Sequence, residues 1–224
     1  MRCAEKYTEV MTPTLAAALA GLGFGLSLIV AIGAQNAYVL RQGLRKEHVF
    51  VIVAICALSD ALLIAVGVAG LGAIIQQLEW LLLLIELVGG VFLCTYGVMA
   101  AKRAWKPEVL NTDTGGKRVS LKVAVGTALA LTYLNPHVYL DTVLLLGSVA
   151  GTYEENRWWF ATGAMLGSII WFSTLGFGAR VLDPVFKKPT AWRVLDAIIA
   201  VVMFTLGTSL LVSFVQHLMA SLGA

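Results

Sequence analysis

Six long runs of apolar residues, at 14–40, 49–76, 80–101, 123–152, 158–179 and 192–215, set the architecture of this chain. Each reaches the roughly 20 residues a helix needs to cross a bilayer, so six transmembrane helices are expected. Two runs carry polar breaks. The fourth contains Asn135-Pro136-His137-Val138-Tyr139, where the proline removes one backbone donor and frees the carbonyl of Thr132. Backbone left open at membrane depth survives only where protein or a water-filled cavity satisfies it. Asn135 then reads as the N-cap, and Pro136 as the first residue, of a half-helix whose partly positive end faces the gap. The first run contains Gly33-Ala34-Gln35-Asn36-Ala37-Tyr38, a glycine and two carboxamides where Leu or Val would otherwise stand. Three spans followed by three make the two halves run in opposite senses, the layout of an inverted-repeat transporter. The expected fold is therefore an all-α integral membrane protein of six transmembrane helices. It is a single domain over 1–224, with inverted three-helix repeats at about 13–101 and 121–215 and with helices 1 and 4 interrupted.

Composition agrees with a membrane protein: 59% of the 224 residues are apolar and only 13% charged, too few for the surface of a soluble domain. The net charge of +3 reports topology. Connections after runs one, three and five hold thirteen of the sixteen Lys and Arg residues, against Arg2, Lys6 and Arg157 on the other side. The positive-inside rule makes those connections cytoplasmic and puts both termini outside. No stripe of Lys and Arg suggests nucleic-acid binding. The uncharged stretch 10–40 far exceeds the core of a signal peptide, about 7 to 15 residues, so the first run is read as a true span. Met11 is an alternative start.

The functional classes narrow by what is missing. Cys3, Cys56 and Cys94 show no Cys-x-x-Cys spacing for a thiol relay, and His48, His137 and His217 stand too far apart for a metal motif. With no phosphate-binding loop or nucleophile elbow either, neither enzyme activity nor a cofactor is expected. Gly21 with Gly25, and Gly163 with Gly167, have the small-xxx-small spacing that lets helices approach closely.

The candidate chemistry lies in acids inside the spans. Asp60 sits near the middle of the second run, and Asp141 about a turn and a half beyond the break in the fourth, with no basic residue in any span core to neutralise them. Such a carboxylate costs several kcal/mol or takes up a proton, which favours a role in transport. Glu86, less than two turns inside the third run, and His137 are further candidates for handling protons. Asp196, three residues after Arg193, has a helical ion pair available. Trp80, Trp158, Trp159 and Trp192 fall at span ends, as interface anchors do.

The chain resembles the LysE-type amino-acid exporters of bacterial inner membranes, in their lysine and arginine branch. The resemblance rests on Ile32-Gly33-Ala34-Gln35-Asn36 with Arg41-Gln42-Gly43, on Leu58-Ser59-Asp60, on Leu134-Asn135-Pro136-His137-Val138-Tyr139-Leu140-Asp141, and on Gly176-Phe177-Gly178-Ala179. The family usually places proline in the first break where this chain has Ala34, which implies a less sharply broken first helix. It also implies export of lysine or arginine from the cytoplasm across the inner membrane. Asp60 and Asp141 would hold the side-chain cation, and Asn135, Gln35, Asn36 and Tyr139 would complete the substrate site. Gly33, Ala34 and Pro136 would make the helix breaks. Moving one positive charge outward costs about 2.3 kcal/mol per 100 mV. Export is therefore expected to be coupled to proton entry through Asp60, Asp141, His137 or Glu86. The partners implied are the amino acid, protons and membrane lipid, with the oligomeric state open. A neutral amino-acid exporter, a passive channel or structural membrane partner, and an electron carrier are the alternatives. An electron carrier would need cysteines near the breaks. Lysine and arginine differ chiefly in donor geometry, and nothing in the residues separates them.

Overall fold

The computed structural model describes residues 2–30, 33–71, 79–105 and 119–222, and every regular element among them is helical. In chain order these are α1 (Arg2–Ile29), α2 (Ala34–Arg45), α3 (Val49–Val68), α4 (Glu79–Trp105), α5 (Leu121–Tyr133) and α6 (Pro136–Val138). A π-helical stretch, Tyr139–Leu145, follows, then α7 (Leu146–Gly151), α8 (Arg157–Gly178), α9 (Asp183–Phe186) and α10 (Pro189–Leu222). Ile32, the part of the second run beyond Leu71 with Gly72, and the connection over 106–118 lie outside the described residues.

Four helical stretches are long and apolar enough to cross a membrane: Val49–Val68, Trp80–Trp105, Glu154–Phe186 and Pro189–Ala220. The count is five if Pro13–Ile29 and Ala34–Arg45 form one interrupted span. The protein is thus a multi-pass membrane protein. The six apolar runs do not become six continuous helices. Helix α1 extends well before Thr14 and stops at Ile29, and the fourth run divides after Tyr133. Local chemistry fixes several of the ends. Ser120 Oγ accepts the Val123 N–H at 3.4 Å to cap α5. Lys46 closes α2 in the left-handed region (φ 57°), its N–H turned to the carbonyls of Gln42 and Gly43.

The described chain forms two compact units, each assembled from pieces of both sequence halves. The first unit comprises Met1–Ala31, Ala57–Gln77 and His137–Phe172. Its core is Ala17, Ile64, Val68, Leu146, Ala150, Phe160, Ala161 and Ala164. Here the two small-residue pairs of the sequence meet. A Cβ on Gly21 would run into the backbone of Phe160, one on Gly163 into that of Ala18, and Gly25 packs on Ala164. Helices α1 and α8 therefore touch backbone to backbone, which only residues without bulk allow. Gly67 makes a similar approach, with a Cβ position 2.6 Å from the Val143 carbonyl oxygen. It seats α3 against the π-helical stretch by close packing.

The second unit comprises Ile32–Cys56, Leu78–Pro136 and Ser173–Ala224. Its spine is the pairing of α4 with α10 through Gly90, Gly97 and Gly207, where added Cβ atoms would meet Leu211, Phe204 and Cys94. Gly43 brings α2 against the end of α8, where an added Cβ would meet the Gly176 backbone, and Gly176 packs in turn on Val53 and Val49 of α3. Tyr38 donates its hydroxyl to the Ala124 carbonyl at 3.1 Å and so ties α2 to α5. Trp80, Trp158 and Trp159 are exposed at helix ends, as interface anchors should be. Trp192 corrects that expectation. It is buried, its indole N–H donating to the Phe186 carbonyl at 2.7 Å with its ring edge-on to Phe186.

Candidate functional site

Asp60, just past the middle of α3, is 5% exposed in the first unit. It takes a hydrogen bond of 2.7 Å from Ser168 Oγ on α8. Ser168 is fully buried and is the sole donor to the Asp60 side chain among the described residues. One neutral hydroxyl satisfies part of the carboxylate's hydrogen-bonding capacity and none of its charge. Several hydroxyls elsewhere in the apolar helices behave differently. Those of Thr95, Thr127, Thr132 and Thr162 turn back to the carbonyl four residues earlier in their own helix. Ser168 instead reaches across to another helix, because a buried carboxylate is the stronger acceptor.

Asp141 belongs to the same unit and lies in the π-helical stretch, where the Leu146 N–H bonds to the Asp141 carbonyl five residues back. Its side chain is exposed and has no hydrogen-bond or ion-pair partner among the described residues. A π turn takes more residues than an α turn and re-aims the side chains it carries, and such turns concentrate at functional sites. Tyr139 opens the stretch half-buried, and His137 before it is exposed. Arg157 and His137 are the basic side chains described in this unit, and neither meets Asp60 or Asp141 in an ion pair.

The remaining break residues fall in the second unit. Helix α5 ends at Tyr133, Leu134 closes it through a bond to the Ala130 carbonyl, and helical structure resumes at Pro136, with the half-buried Asn135 directly before it. In the first run helical structure stops at Ile29 and resumes at Ala34, preceded by Gly33 in an extended conformation (φ −118°, ψ 174°). Absence of proline at Ala34 has thus not kept the helix continuous. Gln35 follows with its Nε2 buried and without a hydrogen-bond partner among the described residues, while Asn36 is half-buried. The first unit therefore contains Asp60, Asp141, Tyr139 and His137, and the second Gln35, Asn36, Asn135 and Glu86.

Each described acid side chain of the second unit has a basic partner. Asp196 Oδ1 accepts from Arg41 Nε at 2.9 Å and from Arg103 Nε at 3.1 Å, so the helical pair with Arg193 is not made. Arg103 also lies over the Tyr96 ring, 5.5 Å from its centroid. Glu86 is buried and accepts from His217 Nδ1 at 3.1 Å. Sequence reasoning missed Ser168, Arg41, Arg103 and His217 as partners. Their separations of 93 to 155 residues from the acids they meet leave no local signal, apart from a serine standing in the apolar run of α8.

Residues 26–214 match the family model described as LysE type translocator. A Mycobacterium tuberculosis (strain H37Rv) protein provisionally named an amino-acid transporter is 46% identical over 188 residues, 84% of this chain and 93% of the relative. The arginine exporter protein ArgO of Enterobacter sp. (strain 638) is 38% identical over 200 residues, 88% of this chain and 94% of the relative. The ArgO of Salmonella newport (strain SL254) is likewise 38% identical, over 202 residues, 89% of this chain and 95% of the relative. No solved structure gives a significant match to the chain.

Proposed function

The chain belongs to the LysE type translocator family of amino-acid exporters and is a transporter, not an enzyme, and from that premise we propose that it exports basic L-amino acids, lysine or arginine, in exchange for protons. The observation that carries this reading is the charge balance of the first unit: Asp60 held by one serine hydroxyl and Asp141 by nothing described. A carboxylate in apolar surroundings is costly unless a cation joins it. A lysine ammonium or an arginine guanidinium supplies that cation. When the substrate leaves, a proton replaces it on Asp60 or Asp141, which links outward movement of the amino acid to inward movement of a proton. His137 and Glu86 are secondary proton carriers in this scheme. Gln35, Asn36, Asn135 and Tyr139 serve the substrate's polar backbone end in this scheme, with the Gln35 amide, which has no partner among the described residues, as a donor for a carboxylate.

We further propose six spans in two inverted repeats, in a bacterial inner membrane, with both termini outside. The two runs that fail to form continuous spanning helices are the first and the fourth, the pair an inverted repeat relates. The unit boundaries also fall in corresponding places, at 31/32 and 136/137 in the broken helices and at 56/57 and 172/173 inside the helices that follow.

Efflux of labelled arginine, lysine and leucine from proteoliposomes, with and without an imposed pH gradient and potential, tests the reading. Saturable export of the basic amino acids, accelerated by an inward proton gradient, is the expected result. Leucine export of equal rate would make the protein a neutral amino-acid exporter, and flux that never saturates would make it a channel.

A further inference from the structure

A furrow of about 640 Å³ opens on the second unit between α4 and α10. Its form follows from the residues that hold the two helices together. At Gly90, Gly97 and Gly207 the helices are in close contact. Beyond Gly97 no glycine continues the seam, and the helices instead present a floor of small side chains, Ala101 and Ala104 from one, Ala197 and Ala200 from the other. Phe204, packed against Gly97, closes the inner end. Trp105, 84% exposed, and Arg193 stand at the outer end.

Arg193 is the one charged residue of the lining, and its neighbour one helical turn on, Asp196, is already committed to Arg41 and Arg103. Arg193 has no acidic partner among the described residues, and neither has the exposed Lys102 beside Ala101. From Arg193 to Phe204 the helix rises about 16 Å. That is close to one leaflet's share, about 15 Å, of the hydrocarbon core.

We propose that this furrow binds one anionic phospholipid, with an acyl chain along the alanine floor and the phosphodiester on Arg193. The site is positively charged at one end, apolar along its length and one leaflet deep, the dimensions of a lipid chain attached to an anionic headgroup. A helix from a second copy fits it less well, because a helix–helix interface needs a continuous face and the tight crossing at Gly97 ends this one. A tryptophan at the mouth suits the headgroup level.

Native mass spectrometry of the full-length protein in mild detergent, with dioleoyl phosphatidylglycerol and dioleoyl phosphatidylcholine added in equal amounts, tests the proposal. One phosphatidylglycerol retained per chain, preferred about fivefold over phosphatidylcholine, is expected from a single arginine contact. Arg193→Gln should make the two lipids equal. Ala197→Phe, which fills the furrow from an exposed position and leaves the arginine in place, should lower retention of both. Equal retention of the two lipids by the native protein, or a preference that survives Arg193→Gln, overturns the proposal. So does a change from dimer to monomer in Ala197→Phe with lipid retention intact, which would make the furrow an interface between copies.

Discussion

The two units treat the acids of their apolar helices in opposite ways. In the second, Asp196 receives two arginine side chains and Glu86 a histidine. In the first, Asp60 has a serine hydroxyl and Asp141 no described partner, although both lie in apolar helices of a membrane protein. A paired acid fastens helices together, since removing either partner strands a buried charge. An acid without a cation contributes little to folding and persists because something else needs it. On the proposed reading that need is a cationic substrate.

Neutralising the unpaired acids tests the comparison hardest. Asp141→Asn and Asp60→Asn should each lower arginine flux by roughly two orders of magnitude, the loss of a close charge contact of about 2 to 5 kcal/mol. Asp60→Asn should keep or slightly raise the unfolding temperature in detergent, because a desolvated carboxylate has been removed, and Asp141→Asn should leave it unchanged, because that side chain is exposed. Full flux in a normally inserted Asp141→Asn variant would remove that residue from the site.

Asp196→Asn makes the reverse prediction. It strands two guanidinium groups, Arg41 almost completely buried and Arg103 about 30% exposed, at a cost of about 3 kcal/mol. Denaturant unfolding should register that cost, and protein that remains folded should still transport. Unchanged stability with lost transport would move Asp196 into the company of Asp60 and erase the distinction between the units.

Ser168→Ala should have an intermediate effect. It takes from Asp60 its single described donor, worth about 1 to 3 kcal/mol at a charged buried group. A lowered unfolding temperature together with a several-fold drop in flux is expected, and normal values of both would show that the hydroxyl is dispensable. His217→Ala should matter least. The imidazole is 63% exposed, so the pair contributes about 1 kcal/mol or less. A stability change much above that, or lost transport, would assign the Glu86 pair a larger part than the comparison gives it.

Much of this was legible along the chain. The apolar runs marked the membrane helices, because length and lack of charge decide which segments partition into lipid. Asn135-Pro136 and Gly33-Ala34 marked the breaks, because a missing donor and a missing side chain act locally on the backbone. The glycine pairs of α1 and α8 marked surfaces for close approach, though only the fold disclosed that they pack on each other.

The sequence by itself determined that this is a helical membrane protein, that its helical structure is interrupted near Gly33 and Asn135, and that Asp60 and Asp141 are acids without a basic neighbour in the spans. Tertiary structure alone decided which partner each acid meets: Asp196 the cations of Arg41 and Arg103 rather than Arg193, Glu86 the imidazole of His217, and Asp60 only the neutral hydroxyl of Ser168 among the described residues. It also decided the π turn that carries Asp141 and the burial of Trp192. The division has a physical cause. Partition into lipid and breakage of a helix are set by residues within a few positions of each other, whereas neutralisation of a charge depends on groups far apart in the chain that only packing brings within a hydrogen bond's length.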